Sequence, residues 1–207
     1  MAAVPTAATA HPHIFVDAGL EVVFGEQGEV THVVVTWEYD ELYSLLITED
    51  MQLDNDFDGE LTQAELATLN GFDQDWLEGY YGDTRAYLGG VELGLSRPVK
   101  FETSFSKGRI TSKHWREVAG TPAIGGQAFE VKPYDETYYT AYDVTKPVRL
   151  TGRVDCQFAL DVPDVTGAML EIQQRLLELD VSADTEVEFP QVGEKFATTL
   201  RVTCPGS

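Results

Sequence analysis

The twelve residues from Asp54 to Glu65, Asp-Asn-Asp-Phe-Asp-Gly-Glu-Leu-Thr-Gln-Ala-Glu, carry oxygen donors at the spacing of an EF-hand calcium loop. Calcium is a hard cation that takes about six to eight oxygens. Asp54, Asp56 and Asp58 supply side-chain oxygens at loop positions 1, 3 and 5. Gly59 at position 6 permits the sharp turn, and Glu60 at position 7 offers its backbone carbonyl. Thr62 at position 9 acts directly or through a water, and Glu65 at position 12 closes the site with both carboxylate oxygens. Leu61, at position 8, is the apolar residue expected to pack inward.

A second group of donors lies near the start of the chain. Two of the four histidines, His11 and His13, flank Pro12; the others are His32 and His114. On an extended strand residues 11, 13, 15 and 17 share a face, so His11, His13 and Asp17 are expected to converge on one ion. Two imidazoles and a carboxylate suit zinc, nickel or copper(II). Ala8-Thr9-Ala10 has the small-x-small form of an export cleavage site, which makes residues 1–10 the expected remainder of a signal peptide or a disordered start. Cleavage there adds the amine of His11 as a further nitrogen. Pro12 has no N–H to give up, so a square-planar chelate through deprotonated backbone amides is blocked. His32 is placed to approach this site from the second strand of a hairpin, and His114 is expected to be a hydrogen-bonded strand histidine.

These residues need elements to position them. Two Val-rich stretches, 13–24 and 29–39, flank the turn sequence Gly25-Glu-Gln-Gly28 and predict a β-hairpin. Asp40 is the expected N-cap of a helix in which Leu42, Leu45, Leu46 and Met51 form the apolar stripe. A second helix is predicted over 63–81, with Leu66, Leu69, Phe72, Trp76, Leu77 and Tyr80 on one stripe and Gly71 as a weak point. The loop 54–65 thus has helical patterns on both sides. Residues 85–150 predict a meander of antiparallel strands broken at Gly89-Gly90 and Lys107-Gly108. A strand over 148–160, a helix from Asp164 to Leu179, and strands over 187–189 and 196–204 complete the chain. The fold class is α+β: antiparallel sheets with an inserted helix-loop-helix at 41–81 in a β-rich lobe, 11–147, followed by a strand-helix-strand-strand lobe, 148–207. Tyrosines 134, 138, 139 and 142 are expected to pack in the core with their hydroxyls at its rim.

Composition narrows the partners. The chain has 207 residues with 14 Lys+Arg against 35 Asp+Glu, a net charge of −21. Nucleic acid and anionic membrane surfaces are repelled by that field, whereas cations are concentrated by it. No apolar run is long enough for a transmembrane helix, so no membrane insertion is expected. Cys156 and Cys204 form one disulfide if the chain is exported, or remain two buried thiols if it is not. No nucleophile elbow, zincin helix or phosphate-binding glycine loop is present, and a non-enzymatic role is expected.

His11-Pro-His-Ile-Phe-Val-Asp17, Thr36-Trp-Glu-Tyr-Asp40, the acidic loop from Asp54 and Tyr134-Asp-Glu-Thr-Tyr-Tyr139 occur in that order. Together they resemble a periplasmic family catalogued as domain of unknown function 1007, over most of the chain. The family is often described as the periplasmic component of an uncharacterised ABC-type transport system. The resemblance implies an exported carrier or accessory of a zinc, nickel or cobalt transport system, with a membrane transporter or periplasmic metallochaperone as partner. It implies no enzymatic activity. The expectation is therefore a periplasmic protein that binds a transition ion, zinc first among them, at His11, His13 and Asp17, with calcium as a structural ion. Two alternatives stand beside it: a calcium-rigidified protein-interaction module, and a copper enzyme that takes a third nitrogen from His32 or His114.

Overall fold

The computed structural model describes residues 12–56, 58–170 and 191–205. The predicted hairpin forms from β1 (Ile14–Phe24) and β2 (Val30–Tyr39), paired antiparallel from Val16 opposite Tyr39 to Val23 opposite His32. Its turn is closed by the Gly25 N–H donating to the Glu29 carbonyl at 2.8 Å, with Gly28 at φ +82°. β-Branched residues dominate both strands, as a pleated and buried surface favours.

Asp40 caps α1 (Glu41–Asp50), accepting from the Tyr43 N–H at 2.8 Å. Three of the four residues of the expected stripe face outward: Leu42, Leu45 and Leu46 are 65%, 52% and 53% exposed, while Ser44 and Thr48 are buried. Met51, the fourth, packs against the core with Tyr43 and Ile47, so the inward face is offset from the leucines. The Ser44 hydroxyl accepts the buried Ile110 N–H at 3.0 Å, a donor that would otherwise lack a partner at that contact.

The second helix is shorter than its pattern predicts. α2 covers Gln63–Leu69, and residues 70–83 continue as turns. Asn70 leaves the helical region, and Gly71 takes φ +82°. The Phe101 ring lies 2.6 Å from where a Cβ on residue 71 would stand, so glycine is required there for packing as well as for the turn.

The remaining strands are β3 (Thr84–Leu88), β4 (Val91–Leu93), β5 (Lys100–Ser106), β6 (Arg109–Glu117), β7 (Ala128–Pro133), β8 (Thr140–Asp143), β9 (Val148–Thr151), β10 (Gln157–Asp161) and β11 (Thr199–Thr203). They form two sheets rather than one meander. The first runs β5-β6-β2-β1-β8, with β9 also on β1; the second runs β10-β11-β7-β3-β4. β8 and β9 pair with β1 in parallel, β8 along Ile14–Asp17 and β9 along Leu20–Val23, which departs from the expected antiparallel order. Residues 144–147, ending at Pro147, separate them.

The strand predicted over 148–160 is broken at Gly152, which has φ +94° and a Cβ position 2.3 Å from the Phe24 carbonyl oxygen. There the chain leaves the first sheet for the second. The expected boundary at 148 therefore does not separate two lobes: β9 belongs to the sheet of β1, and β11 pairs with β7. Residues 165–170 are helical, in the span predicted from Asp164; the rest of that helix and the strand at 187–189 lie outside the described residues. A 3-10 turn, Gly193–Phe196, leads into β11.

Val16, Leu20, Val22, Val33 and Val35 of the first sheet share one buried cluster with Ala86, Phe129, Val131, Leu200 and Val202 of the second. The two sheets thus close on a single core. Among the described residues no helix is long and apolar enough to cross a membrane.

Cys156 and Cys204 form a disulfide between the entry to β10 and the exit of β11, closing a sequence separation of 48 residues. By loop-closure entropy, replacing both cysteines by serine is expected to cost roughly 2–4 kcal/mol. Urea unfolding of the double variant checks this: the midpoint should fall substantially, and an unchanged midpoint would show that the second sheet does not depend on the link.

Candidate metal centre

The loop between α1 and α2 is ordered by its own carboxylates. Asp54 accepts from the Asp58 N–H at 3.0 Å and from the Gly59 N–H at 3.2 and 3.3 Å. Asp58 accepts from the Glu60 N–H at 2.9 Å. Gly59 takes φ +77°, the left-handed conformation the turn requires. Leu61 packs against the core as expected. These bonds hold Asp54 and Asp58, and oxygens of Asp54, Asp56 and Asp58 lie within 4.8 Å of one another. Two oxygens on opposite sides of a calcium ion at about 2.4 Å stand about 4.8 Å apart, so the three fit one coordination sphere.

Thr62 and Glu65 serve α2 first. The Thr62 hydroxyl caps the helix at the Glu65 N–H, and Glu65 reaches back to the Thr62 N–H at 2.8 Å and the Thr62 hydroxyl at 2.7 Å. Its other oxygen accepts from the Asp54 N–H at 2.9 Å, so the last ligand of the expected set is tied to the first residue of the loop. These bonds, the Thr62 hydroxyl foremost, hold the Glu65 carboxyl below its usual range. Coordination by Glu65 would exchange them for the ion. α1 ends at Asp50, and Gln52 and Asp54 take φ +55° and +52°, so the incoming helix stops short of the loop.

Of the N-terminal set, His13 and Asp17 lie among the described residues. His11 lies outside the described residues. The His13 N–H donates to the Tyr139 carbonyl at 2.8 Å, and its ring stands 4.9 Å from the Tyr139 ring. Asp17 shares the expected strand face but lies about 13 Å further along the strand. It accepts from the Thr145 hydroxyl at 2.5 Å and pairs with Arg109 at 2.8 Å, which together hold its carboxyl below the usual range. Those partners commit Asp17 to the sheet.

His32 stands opposite Val23, ten residues of strand from His13 and about 33 Å away. His114 is fully buried, edge-on to Trp37 at 4.7 Å and Trp76 at 6.0 Å. Neither of its ring nitrogens has a hydrogen-bond partner among the described residues, contrary to the expected hydrogen-bonded histidine. Burial pulls it down to about 3, so the ring is neutral. Neither histidine supplies the third nitrogen that a copper centre at His13 was expected to need.

A further site was not anticipated. Segment 70–83, with α1 and the ends of β1, β2 and β8, borders an open pocket of about 340 Å³. Trp37, Tyr39, Trp76, Tyr80 and Tyr142 line it together with Asp73, Asp75 and Asp83. Asp83 accepts from the Tyr142 hydroxyl at 2.8 Å, and Asp73 from the Tyr39 hydroxyl at 2.9 Å. The sequence signal was present as alternating aromatic and acidic residues at 72–83, read as a helical stripe.

Burial pushes the Asp83 carboxyl up to about 6. A carboxyl raised on folding contributes stability below its unfolded pKa and loses it as pH rises through the folded value. Asp83→Asn removes that loss. Its melting temperature should gain on the wild type between pH 5 and 7.5, by the equivalent of about 1 kcal/mol. Parallel thermal melts across that range check it, and a pH-independent offset would refute it.

No curated protein matches the chain. A family model matches residues 1–204, and on that match the chain belongs to the family described as protein of unknown function, DUF1007.

Proposed function

We propose that this protein is a periplasmic metal-binding protein, with calcium held as a structural ion in the loop Asp54–Glu65. The observation that carries the reading is the convergence of the Asp54, Asp56 and Asp58 oxygens to within 4.8 Å of one another, the span of one calcium coordination sphere, in a loop already turned by Gly59. Glu60, Thr62 and Glu65 complete the set. The disulfide is compatible with an oxidising compartment. A transition ion, zinc first among the candidates, is assigned to His11 and His13, from which it passes to a membrane transporter or periplasmic metallochaperone. Asp17 drops out of this set because Arg109 and Thr145 hold it. The reading gives the protein no catalytic role.

The exposed apolar face of α1 favours a second reading, in which bound calcium rigidifies an interaction surface. Pull-down from periplasm with Leu45→Asp as control, with and without chelator, separates that reading from a carrier.

Elemental analysis and calorimetry of the full chain test the proposal. One calcium per chain is expected, with a melting temperature that rises in calcium chloride, and Asp54→Ala with Asp58→Ala should remove both effects. His13→Ala should lose zinc and keep calcium. Calcium binding that survives the double substitution would overturn the loop assignment, and unchanged zinc affinity in His13→Ala would overturn the terminal one.

A further inference from the structure

The aromatic cavity beneath segment 70–83 has the chemistry of a different kind of cation site. Its volume of about 340 Å³ falls in the range of small-molecule pockets. Aromatic rings come from three parts of the chain, among them Tyr43 of α1, Phe72, Trp76 and Tyr80 of the overlying segment, and Tyr142 of β8. Three carboxylates line it, and no lysine, arginine or histidine does. The hydroxyls that meet Asp73 and Asp83 are neutral tyrosines, Tyr39 and Tyr142, so they satisfy hydrogen bonds without cancelling charge. Asp75 supplies a third negative group in the same wall.

The nature of the cation follows from how these groups are spread. Among the described residues, Asp54, Asp56 and Asp58 form the one group of three or more ligating side chains that converge within 4.8 Å. Asp73, Asp75 and Asp83 do not. A small hard ion needs converging oxygens and gains little from ring faces. A larger ion with diffuse charge and attached methyl or methylene groups gains from both the rings and the dispersed carboxylates, because it sheds its water easily. The net charge of −21 raises the local concentration of any such ion. The rings already pack at right angles or on a tilt: Trp76 against Tyr80 with centroids 5.4 Å apart, Tyr39 against Phe72 at 5.5 Å, and Tyr39 against Tyr43 at 5.0 Å. These contacts brace the lining rings against one another.

We infer that this cavity, walled by Tyr43, Phe72, Trp76, Tyr80 and Tyr142 and by Asp73, Asp75 and Asp83, binds a small organic ammonium ion. The site is separate from the calcium loop and does not depend on it.

Calorimetric titration of the full chain tests this, using choline, 1,4-diaminobutane and 3,3-dimethylbutan-1-ol, the neutral isostere of choline. Saturable one-to-one binding of an ammonium is expected, with a change in tryptophan fluorescence, and the neutral isostere should bind at least about tenfold more weakly. Tyr43→Leu and Asp75→Asn, on partly exposed side chains, should each weaken binding by about fivefold or more while the melting temperature holds. Trp76→Ala removes a buried ring and is read only alongside those two. Preference for choline assigns the site to quaternary ammonium ions, and preference for 1,4-diaminobutane assigns it to primary amines. Ammonium binding no tighter than that of the neutral alcohol, or unchanged in both Tyr43→Leu and Asp75→Asn, overturns the inference. The titration repeated on the Asp54→Ala, Asp58→Ala double variant should give the same affinity, so loss of the calcium site and loss of this one are distinguishable.

Discussion

Strand β1 must satisfy backbone donors and acceptors along both of its edges, and the rest of the molecule is arranged around that requirement. One edge is filled by β2 and the other by β8 and then β9. At the open end, the Asp40 carboxylate accepts from the Phe15 N–H at 2.8 Å as well as from the Tyr43 N–H of α1. A single side chain therefore joins the start of β1, the end of β2 and the first turn of the helix. Arg109 closes the same region, pairing with Asp17 and Glu38 and donating to the Tyr39 carbonyl at 2.8 Å. The placement of His13, of the helix that leads to the acidic loop, and of the rings of Trp37 and Tyr39 all follow from these few bonds.

The two proposed cation sites rest on opposite physical arrangements. In the acidic loop, three carboxylates at or near the surface converge, two of them accepting backbone N–H groups, and the cost of crowding like charge is kept low by surrounding water. In the aromatic pocket the carboxylates are set apart: Asp73 and Asp83 are half-buried and each accepts a tyrosine hydroxyl, and Asp75 is exposed. Asp83 shows the strain of that second arrangement in its raised pKa. Crowded oxygens in water suit a doubly charged point ion; dispersed oxygens among rings suit a larger and softer one.

What the sequence made legible was local. The hairpin, the Asp40 cap, the turns at Gly89-Gly90 and Lys107-Gly108, and the residues that converge in the acidic loop all depend on neighbours within about a dozen positions. What escaped it was set by distant contacts. α2 ends early because Phe101 packs on Gly71, and the Gly71 N–H donates to the Thr103 hydroxyl, some thirty residues away. α1 turns its leucines outward while Tyr43, Ile47 and Met51 pack on the core and Ser44 takes the Ile110 N–H. The parallel placement of β8 and β9, the sheet change at Gly152, and a cavity built from four separate segments have no periodic signature. Asp17 looked free on its own strand face, and its partners, Arg109 and Thr145, lie about ninety and more residues away.

The parallel pairing of β1 with β8 and β9 bears on the order in which the chain acquires structure. β1 precedes by more than a hundred residues the strands that fill its second edge, which stays unpaired until residues 140–151 have followed. The second sheet waits longer still, because β11, at residues 199–203, lies between β7 and β10. A chain folding from β1 onward therefore forms the hairpin with one valine-rich edge open, and completes both sheets only once β11 has followed. Long-range pairing of this kind is slow to form and leaves strand edges exposed in the interval.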